Sequence, residues 1–264
     1  MPQNVVEDQP GRAPAAAQPE PPVKPEEQTR RTLNGRWDRY RLLALIGLFL
    51  AAAAGVLIYL DSARGHLTAA EVRQLKSAEV LEYHGEKLTS AAATPLVSIK
   101  GTQRVNISSY RLAISGLVNA PQSLTYDQVL ALPEYQKVVT LHCVEGWNAT
   151  ILWGGVRLKD LLAPAGVRPE AKTVIFHAVD GYTSSLPLDY VISRDILLAD
   201  KMNGVTLMPE HGFPFQVVAE DKWGYKWVKW VDGLELSADE NYQGTWEKQG
   251  YSRNGDVNGP QLEK

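Results

Sequence analysis

Hydrophobic and polar positions change their pattern several times along the chain. Residues 42–60 are nineteen consecutive positions without a charged side chain, a pattern typical of a membrane-spanning helix. As a helix this stretch is roughly 28 Å long at about 1.5 Å per residue, close to the hydrocarbon thickness of about 30 Å. Beyond residue 110, short apolar runs alternate with turn residues. The pattern therefore predicts one transmembrane helix followed by a folded domain.

Within that domain the predicted elements are short. Tyr110, Leu112 and Ile114 alternate with less apolar residues, which predicts a half-buried strand. Apolar runs predict the other strands, at 138–143, 173–179, 215–219 and 227–236. Capping and breaking residues predict the helices, at 68–85, at 125–132, at 158–162 and after Pro187. Because there is no βαβ rhythm, we expect an α+β fold with mostly antiparallel strands and short helices, preceded by one transmembrane helix.

The region before the apolar stretch predicts the topology. Residues 1–28 contain seven prolines and almost no large apolar side chains, as in a disordered tail. Five arginines lie between Arg30 and Arg41, and the positive-inside rule then keeps residues 1–41 in the cytoplasm. We expect a single-pass protein of the cell membrane with its domain on the periplasmic, extracytoplasmic side. A cleaved twin-arginine signal is the alternative to a retained anchor, because Arg30 and Arg31 are adjacent.

The predicted organisation has five parts. They are the tail at 1–41, the transmembrane helix at 42–60, a juxtamembrane helix and connector at 61–103, the main domain at 104–256 and a short tail at 257–264. The formal net charge of -3 gives no reason to expect a nucleic-acid partner.

Cys143 is the only cysteine in the chain. It therefore cannot form an intrachain disulfide, a CxxC redox pair or a four-thiolate zinc site. Three interpretations remain from the residue alone. Cys143 is a nucleophile, a single soft ligand to a metal, or a small buried hydrophobic side chain.

Several clusters of glycine, aromatic and polar residues surround and follow this cysteine. They are Cys143–Trp147 with Trp153–Val156, Asp180–Pro187, Met202–Gly204 with His211–Pro214, and Lys222–Trp230. In this order and spacing they resemble the sulfite oxidase and methionine-sulfoxide reductase superfamily of molybdopterin enzymes. The resemblance covers about residues 104–256.

The resemblance implies a molybdenum–molybdopterin cofactor. Cys143 would be both the metal ligand and a catalytic residue, with further sulfur ligands from the dithiolene of the pterin. Tyr182 would be the second catalytic residue and would orient the substrate. The residues implied to bind the cofactor are Cys143, His211, Lys226, Trp227, Val228 and Lys229.

Two departures from sulfite oxidases indicate the reaction. Val144 to Asn148 follow the cysteine as in the bacterial methionine-sulfoxide reductase branch, and Gln216 stands where many relatives have an arginine. We therefore expect oxygen-atom transfer on a sulfoxide or similar small oxide. The electrons would come from a membrane cytochrome or a quinone-linked carrier.

Three other functions remain open at this stage. The first is a cofactor-free binding or scaffold module on the same fold. The second is a sulfite-oxidase-like enzyme running in the oxidative direction. The third is a hydrolase with Cys143 as nucleophile, although His142 is too close in sequence to act as its base.

Overall fold

The computed structural model describes residues 77–263, together with Leu43, Leu45 and Gln74. The predicted tail at 1–41, almost all of the predicted transmembrane helix and most of the juxtamembrane helix lie outside the described residues. In the part that is described, no helix combines the length and apolar character that crossing a bilayer requires.

Short strands dominate residues 77–263, and three short α-helices connect some of them. The strands are β1 (Glu82–Tyr83), β2 (Glu86–Lys87), β3 (Leu112–Gly116), β4 (Gln122–Leu124), β5 (Glu134–His142), β6 (Asn148–Arg157), β7 (Thr173–Ala178), β8 (Thr183–Pro187), β9 (Leu197–Met202), β10 (Val205–Thr206), β11 (Gln216–Val218) and β12 (Val231–Ser237). The helices are α1 (Tyr126–Leu130), α2 (Leu158–Leu162) and α3 (Leu188–Ser193).

These strands form two five-stranded sheets and one small hairpin. One sheet has the order β10-β9-β6-β5, with β11 also paired to β9, and the other has the order β4-β3-β12-β7-β8. Every pairing between these strands is antiparallel except that of β12 with β3. The predicted α+β fold with mostly antiparallel strands is confirmed.

Both sheets contribute to one hydrophobic core. In β3, Leu112 and Ile114 are fully buried while Ala113 and Ser115 are exposed, as the alternation predicts. Phe176 of β7 and Ile151 and Trp153 of β6 belong to the same cluster. The core thus contains residues of both sheets and extends to Cys143, which directly follows β5.

Several elements lie where short sequence patterns predicted them. Helix α2 has the predicted bounds, and Thr125 and Gln128 form the predicted capping box of α1. The predicted strand at 138–143 is real but begins earlier, at Glu134.

Two predictions of elements were wrong in part. The helix predicted to continue to Gly85 is replaced by the β1–β2 hairpin, because His84 and Gly85 both adopt positive φ at its turn. The strand predicted at 227–236 begins only at Val231. A 3₁₀ turn at Gly224–Lys226 and a left-handed Trp230 (φ 54°) break the alternation of apolar residues before it.

Candidate active site

Cys143 lies at the end of β5, in a tight turn that presents its side chain to a cavity. Its backbone N–H donates to the carbonyl of Trp147 at 2.9 Å, and the N–H of Gly146 donates to the carbonyl of Cys143 at 3.0 Å. Gly146 adopts φ +92°, which glycine accepts without strain. The thiol is buried, with 9% of the residue exposed, and it lines the cavity.

The protein environment by itself holds the Cys143 thiol in its protonated form. Burial raises its pKa, and the charge of Glu145 acts in the same direction. Hydrogen bonding by the backbone of Glu145 and Val144 opposes the rise. A bound metal ion is the kind of charge that converts such a thiol to the thiolate ligand.

The cavity around Cys143 has a volume of about 500 Å³, within the usual size range of ligand sites. Eight tryptophan and tyrosine residues line it. The aromatic residues are Trp147, Trp153, Tyr182, Tyr225, Trp227, Trp230, Trp246 and Tyr251. The Trp153 and Trp227 rings pack at 5.6 Å between centroids, and the Trp153 indole donates to the carbonyl of Val139. These contacts hold the two indole rings in fixed positions in the wall.

His211 brings an unsatisfied polar group into this apolar space. It is 6% exposed, lies in a 3₁₀ turn (Pro209–His211) and lines the cavity. Burial, and secondarily the charge of Lys229, lower its pKa to about 4, while the nearby carbonyl of Ala91 opposes the shift. Neither ring nitrogen has a hydrogen-bond partner among the described residues. The neutral imidazole thus carries one donor and one acceptor that the described protein groups leave unused.

Lys229 also reaches the cavity. Its ammonium donates to two backbone carbonyls, those of Val97 at 2.6 Å and Glu210 at 3.0 Å. Burial lowers its pKa to about 8, and the negative charges of Asp180 and Glu210 oppose that shift. In the described part of the chain this ammonium forms no ion pair within 4.0 Å.

Lys226 has a different position. Its ammonium pairs with Glu247 at 2.7 Å and donates to the carbonyl of Arg253 at 2.8 Å, and both charged side chains are completely buried. Neither Lys226 nor Val228 belongs to the cavity wall. Of the residues predicted to bind the cofactor, the structure therefore brings together Cys143, His211, Trp227 and Lys229.

Tyr182 lines the cavity, but its hydroxyl already has a partner. It donates to the carbonyl of Tyr225 at 2.6 Å. Burial and the nearby charge of Glu247 raise its pKa, so the hydroxyl stays protonated. To donate to a substrate oxygen, this hydroxyl must leave the Tyr225 carbonyl. Its catalytic role stays a prediction.

The donor set fits a metal that arrives with its own ligands. Within the described residues, no group of three His, Cys, Asp and Glu side chains is placed to hold a metal ion. The cavity offers one thiol, one imidazole and one ammonium beside three carboxylates. The thiol suits a sulfur-ligated metal, and the ammonium suits an anionic organic group. The residues present thus fit a metal–pterin cofactor.

Comparison with known proteins decides the family. The oxidoreductase molybdopterin binding domain matches residues 99–246. The chain belongs to this family. It is a molybdopterin-dependent oxidoreductase, and its cofactor is molybdenum–molybdopterin.

Several relatives are similar in sequence to this molybdopterin oxidoreductase. An uncharacterized oxidoreductase, YuiH of Bacillus subtilis, is 40% identical over 152 residues, which cover 57% of this chain and 76% of the relative. A putative protein-methionine-sulfoxide reductase subunit, YedZ1 of Azospira oryzae, is 34% identical over 57% of each chain. Sulfite oxidase of Arabidopsis thaliana is 30% identical over 52% of this chain and 44% of that protein.

A solved structure shows the same fold. The sulfane dehydrogenase SoxCD of Paracoccus pantotrophus superposes with a TM-score of 0.52 at 27% identity, covering 57% of this chain and 43% of that one. The match thus spans less than half of the SoxCD chain and little more than half of the Azospira protein.

Sequence reasoning missed two parts of the site. The segment Thr94–Ile99, expected only as irregular connector, lines the cavity through five of its six residues. Trp246 and Tyr251 also line it. No local pattern marks these residues, because contacts between distant parts of the chain place them there.

Proposed function

We propose that this chain is a membrane-anchored, extracytoplasmic oxidoreductase that removes the oxygen atom from a neutral sulfoxide or similar small oxide. The observation that carries the proposal is the charge of the cavity around Cys143. One lysine, Lys229, and three carboxylates, those of Glu145, Asp180 and Glu210, lie in the described wall, and no arginine does. Because Lys229 is assigned to the anionic pterin, the described wall offers no second lysine or arginine to sulfite, and binding an anion calls for cationic donors.

Gln216 supports the same choice of substrate. It lines the cavity and is 4% exposed, at a position where the sequence resemblance implies an arginine in many relatives. Its amide carries no charge but can both donate and accept hydrogen bonds. A neutral oxide can accept a hydrogen bond from such a donor, and it brings no net charge that a cation must neutralise.

Some residues of this chain would hold the cofactor, and others would shape the substrate site. Cys143 would ligate the metal, while His211 and Lys229 would hold the pterin and its phosphate. The bound molybdenum–pterin group supplies two-electron oxygen-atom transfer. The tryptophan and tyrosine walls exclude water from the reacting atoms and orient the substrate. In the net reaction the oxide takes up two electrons and two protons, loses its oxygen as water and leaves as the thioether.

The electrons must come from outside the domain, and we assign this role to a membrane cytochrome or quinone-linked carrier. Two relatives support this assignment through their names. The Azospira relative is named as a subunit, and so is the protein-methionine-sulfoxide reductase catalytic subunit MsrP of Campylobacter jejuni, which is 26% identical over 75% of this chain. The apolar residues 42–60 would hold the domain close to such a partner.

A panel assay with the full-length, cofactor-loaded protein tests the substrate. Reduced viologen dye would supply electrons to dimethyl sulfoxide, methionine sulfoxide and trimethylamine N-oxide, and a ferricyanide assay would follow sulfite oxidation. The proposal predicts turnover of the oxides that exceeds sulfite oxidation at least tenfold in kcat/KM. Faster oxidation of sulfite would overturn it and establish the second candidate, which the similarity to the Arabidopsis sulfite oxidase motivates.

A further inference from the structure

One wall of the active-site cavity comes from a segment that lies almost entirely before the matched family domain. The match to the family begins at residue 99, yet residues before it line the cavity. The members of this segment that line it are Thr94, Pro95, Val97, Ser98 and Ile99. We call residues 94–99 the entrance segment.

The chain just before the entrance segment is fixed to the sheets. The Glu79 carboxylate accepts hydrogen bonds from the Ala91 backbone at 2.9 Å and from the Asn203 amide at 3.3 Å. Asn203 is completely buried, and its amide also donates to the carbonyl of Thr89 at 2.8 Å. Because Asn203 directly follows β9, these bonds tie the start of the segment to the larger structure.

Residues of the cavity itself hold the rest of the segment in place. Lys229 donates to the carbonyl of Val97 at 2.6 Å, and Lys100 donates to the carbonyl of Asp180 at 2.5 Å. Lys229 and Asp180 both line the cavity. The backbone of the entrance segment and the lysine that follows it are therefore attached to the rim of the site at two separate points.

Two apolar side chains of this segment are open to solvent at the cavity. Val97 is 43% exposed and Ile99 is 54% exposed. Single exposed apolar residues are common on protein surfaces, but these two are only two positions apart in the chain and both line the same cavity. An apolar group entering the cavity would cover them, and that burial favours binding.

We propose that Val97 and Ile99 are specificity-determining residues that contact the non-reacting apolar substituent of the oxide. This inference rests on the proposed function and extends it. The preferred substrates are then S-oxides with an aromatic or long aliphatic group, rather than dimethyl sulfoxide. Replacing apolar contacts of this size with polar ones changes substrate discrimination by about tenfold or more.

The test compares two double variants of the full-length, cofactor-loaded protein. One is Val97→Ser with Ile99→Ser. The matched control is Leu130→Ser with Ile192→Ser, because these side chains are 40% and 39% exposed and lie outside the cavity wall. Reduced viologen would drive reduction of methyl p-tolyl sulfoxide and of dimethyl sulfoxide, and the ratio of their kcat/KM values would be measured.

We expect this ratio to fall about tenfold in the Val97/Ile99 variant and to stay unchanged in the control. A second readout does not need turnover. Quenching of tryptophan fluorescence by methyl p-tolyl sulfone, which is not reduced, would show about a tenfold rise in Kd for the same variant only.

The outcomes separate the two proposals. If both sulfoxides are reduced but the ratio and the sulfone Kd do not change, the role of Val97 and Ile99 is wrong and the proposed function stands. If molybdenum-loaded protein reduces neither sulfoxide, the proposed function is wrong. The sulfone titration then decides the binding role of the segment by itself. Equal thermal unfolding of both variants would exclude misfolding as the cause of a change.

Discussion

Lys226 and Lys229 stand three positions apart in the chain, but their ammonium groups have opposite surroundings. Lys226 is fully buried against Glu247, which also accepts a hydrogen bond from Ser184 at 2.6 Å. Lys229 bonds only to the carbonyls of Val97 and Glu210 and faces the cavity. One charge is neutralised within the protein, whereas the other remains available to an anion.

This difference shows which basic residues of the segment 222–230 can serve a cofactor. The buried Lys226–Glu247 pair stabilises the fold, because breaking it would leave an unpaired charge in the interior. A lysine whose two hydrogen bonds go to neutral carbonyls keeps its full charge and a third N–H for the phosphate of a pterin. We therefore assign cofactor binding to Lys229 and a structural role to Lys226.

The largest expected effect comes from breaking the Lys226–Glu247 pair. Lys226→Met should lower the free energy of unfolding by about 3–5 kcal/mol, because it leaves the Glu247 carboxylate buried without its cation. Denaturant titration of the cofactor-free protein would measure this loss. Lys226→Met combined with Glu247→Gln should recover part of it, and the exposed control Lys248→Met should lie within about 0.5 kcal/mol of wild type. A loss below about 1 kcal/mol for Lys226→Met would contradict the structural role.

The stability of the folded protein at acidic pH tests the surroundings of His211 in the cavity. Its pKa is about 4 when folded and 6.5 in the unfolded chain, so between these values the unfolded state binds the extra proton. Stability therefore falls as pH decreases through this window, by up to about 3 kcal/mol. His211→Gln should remove that part of the loss in denaturant titrations of cofactor-free protein at pH 7 and pH 4.5. If the free energies of unfolding of wild type and of His211→Gln changed equally with pH, His211 would not be held neutral in the folded protein.

The smallest expected effect concerns Lys229 at alkaline pH. Its pKa is about 8 when folded and 10.5 when unfolded, so the unfolded chain binds more protons between these values. Cofactor-free wild type should gain about 1–2 kcal/mol of stability as pH rises through this window, since the side chain is partly solvated. The cofactor-free Lys229→Met variant should lack this gain in stability. When it is purified with its cofactor, the same variant should have lost most of its bound pterin. Retention of pterin by this variant, at wild-type occupancy, would show that Lys229 does not hold the cofactor.

The sequence was a good guide where the signal was local. The capping box at Thr125 and the segment 158–162 gave correct helices, because hydrogen bonds and side-chain spacing within a few residues decide them. Alternation was misleading at Trp227–Trp230, where a left-handed Trp230 ends the regular pattern. A left-handed tryptophan is uncommon, and nothing in the neighbouring residue types indicates it.

The site was only partly visible from the sequence for the same reason. Cys143 was found because it is unique, and His211 and Lys229 because their surroundings match a known family. The Lys226–Glu247 pair joins residues 21 positions apart and depends on exact folding of two loops. The entrance segment depends on contacts over 80 and 132 positions, from Lys100 to Asp180 and from Val97 to Lys229. Patterns of neighbouring residues carry no information about such contacts.

The central claim is that the Cys143 thiolate holds the metal of this molybdopterin oxidoreductase. Metal analysis, together with fluorescence of the oxidised pterin, tests it on full-length wild type and on Cys143→Ser, both purified from a molybdenum-replete host. The account predicts close to one molybdenum per wild-type chain and loss of most of it in Cys143→Ser. Full molybdenum occupancy in Cys143→Ser, or a wild-type protein without molybdenum, would contradict it.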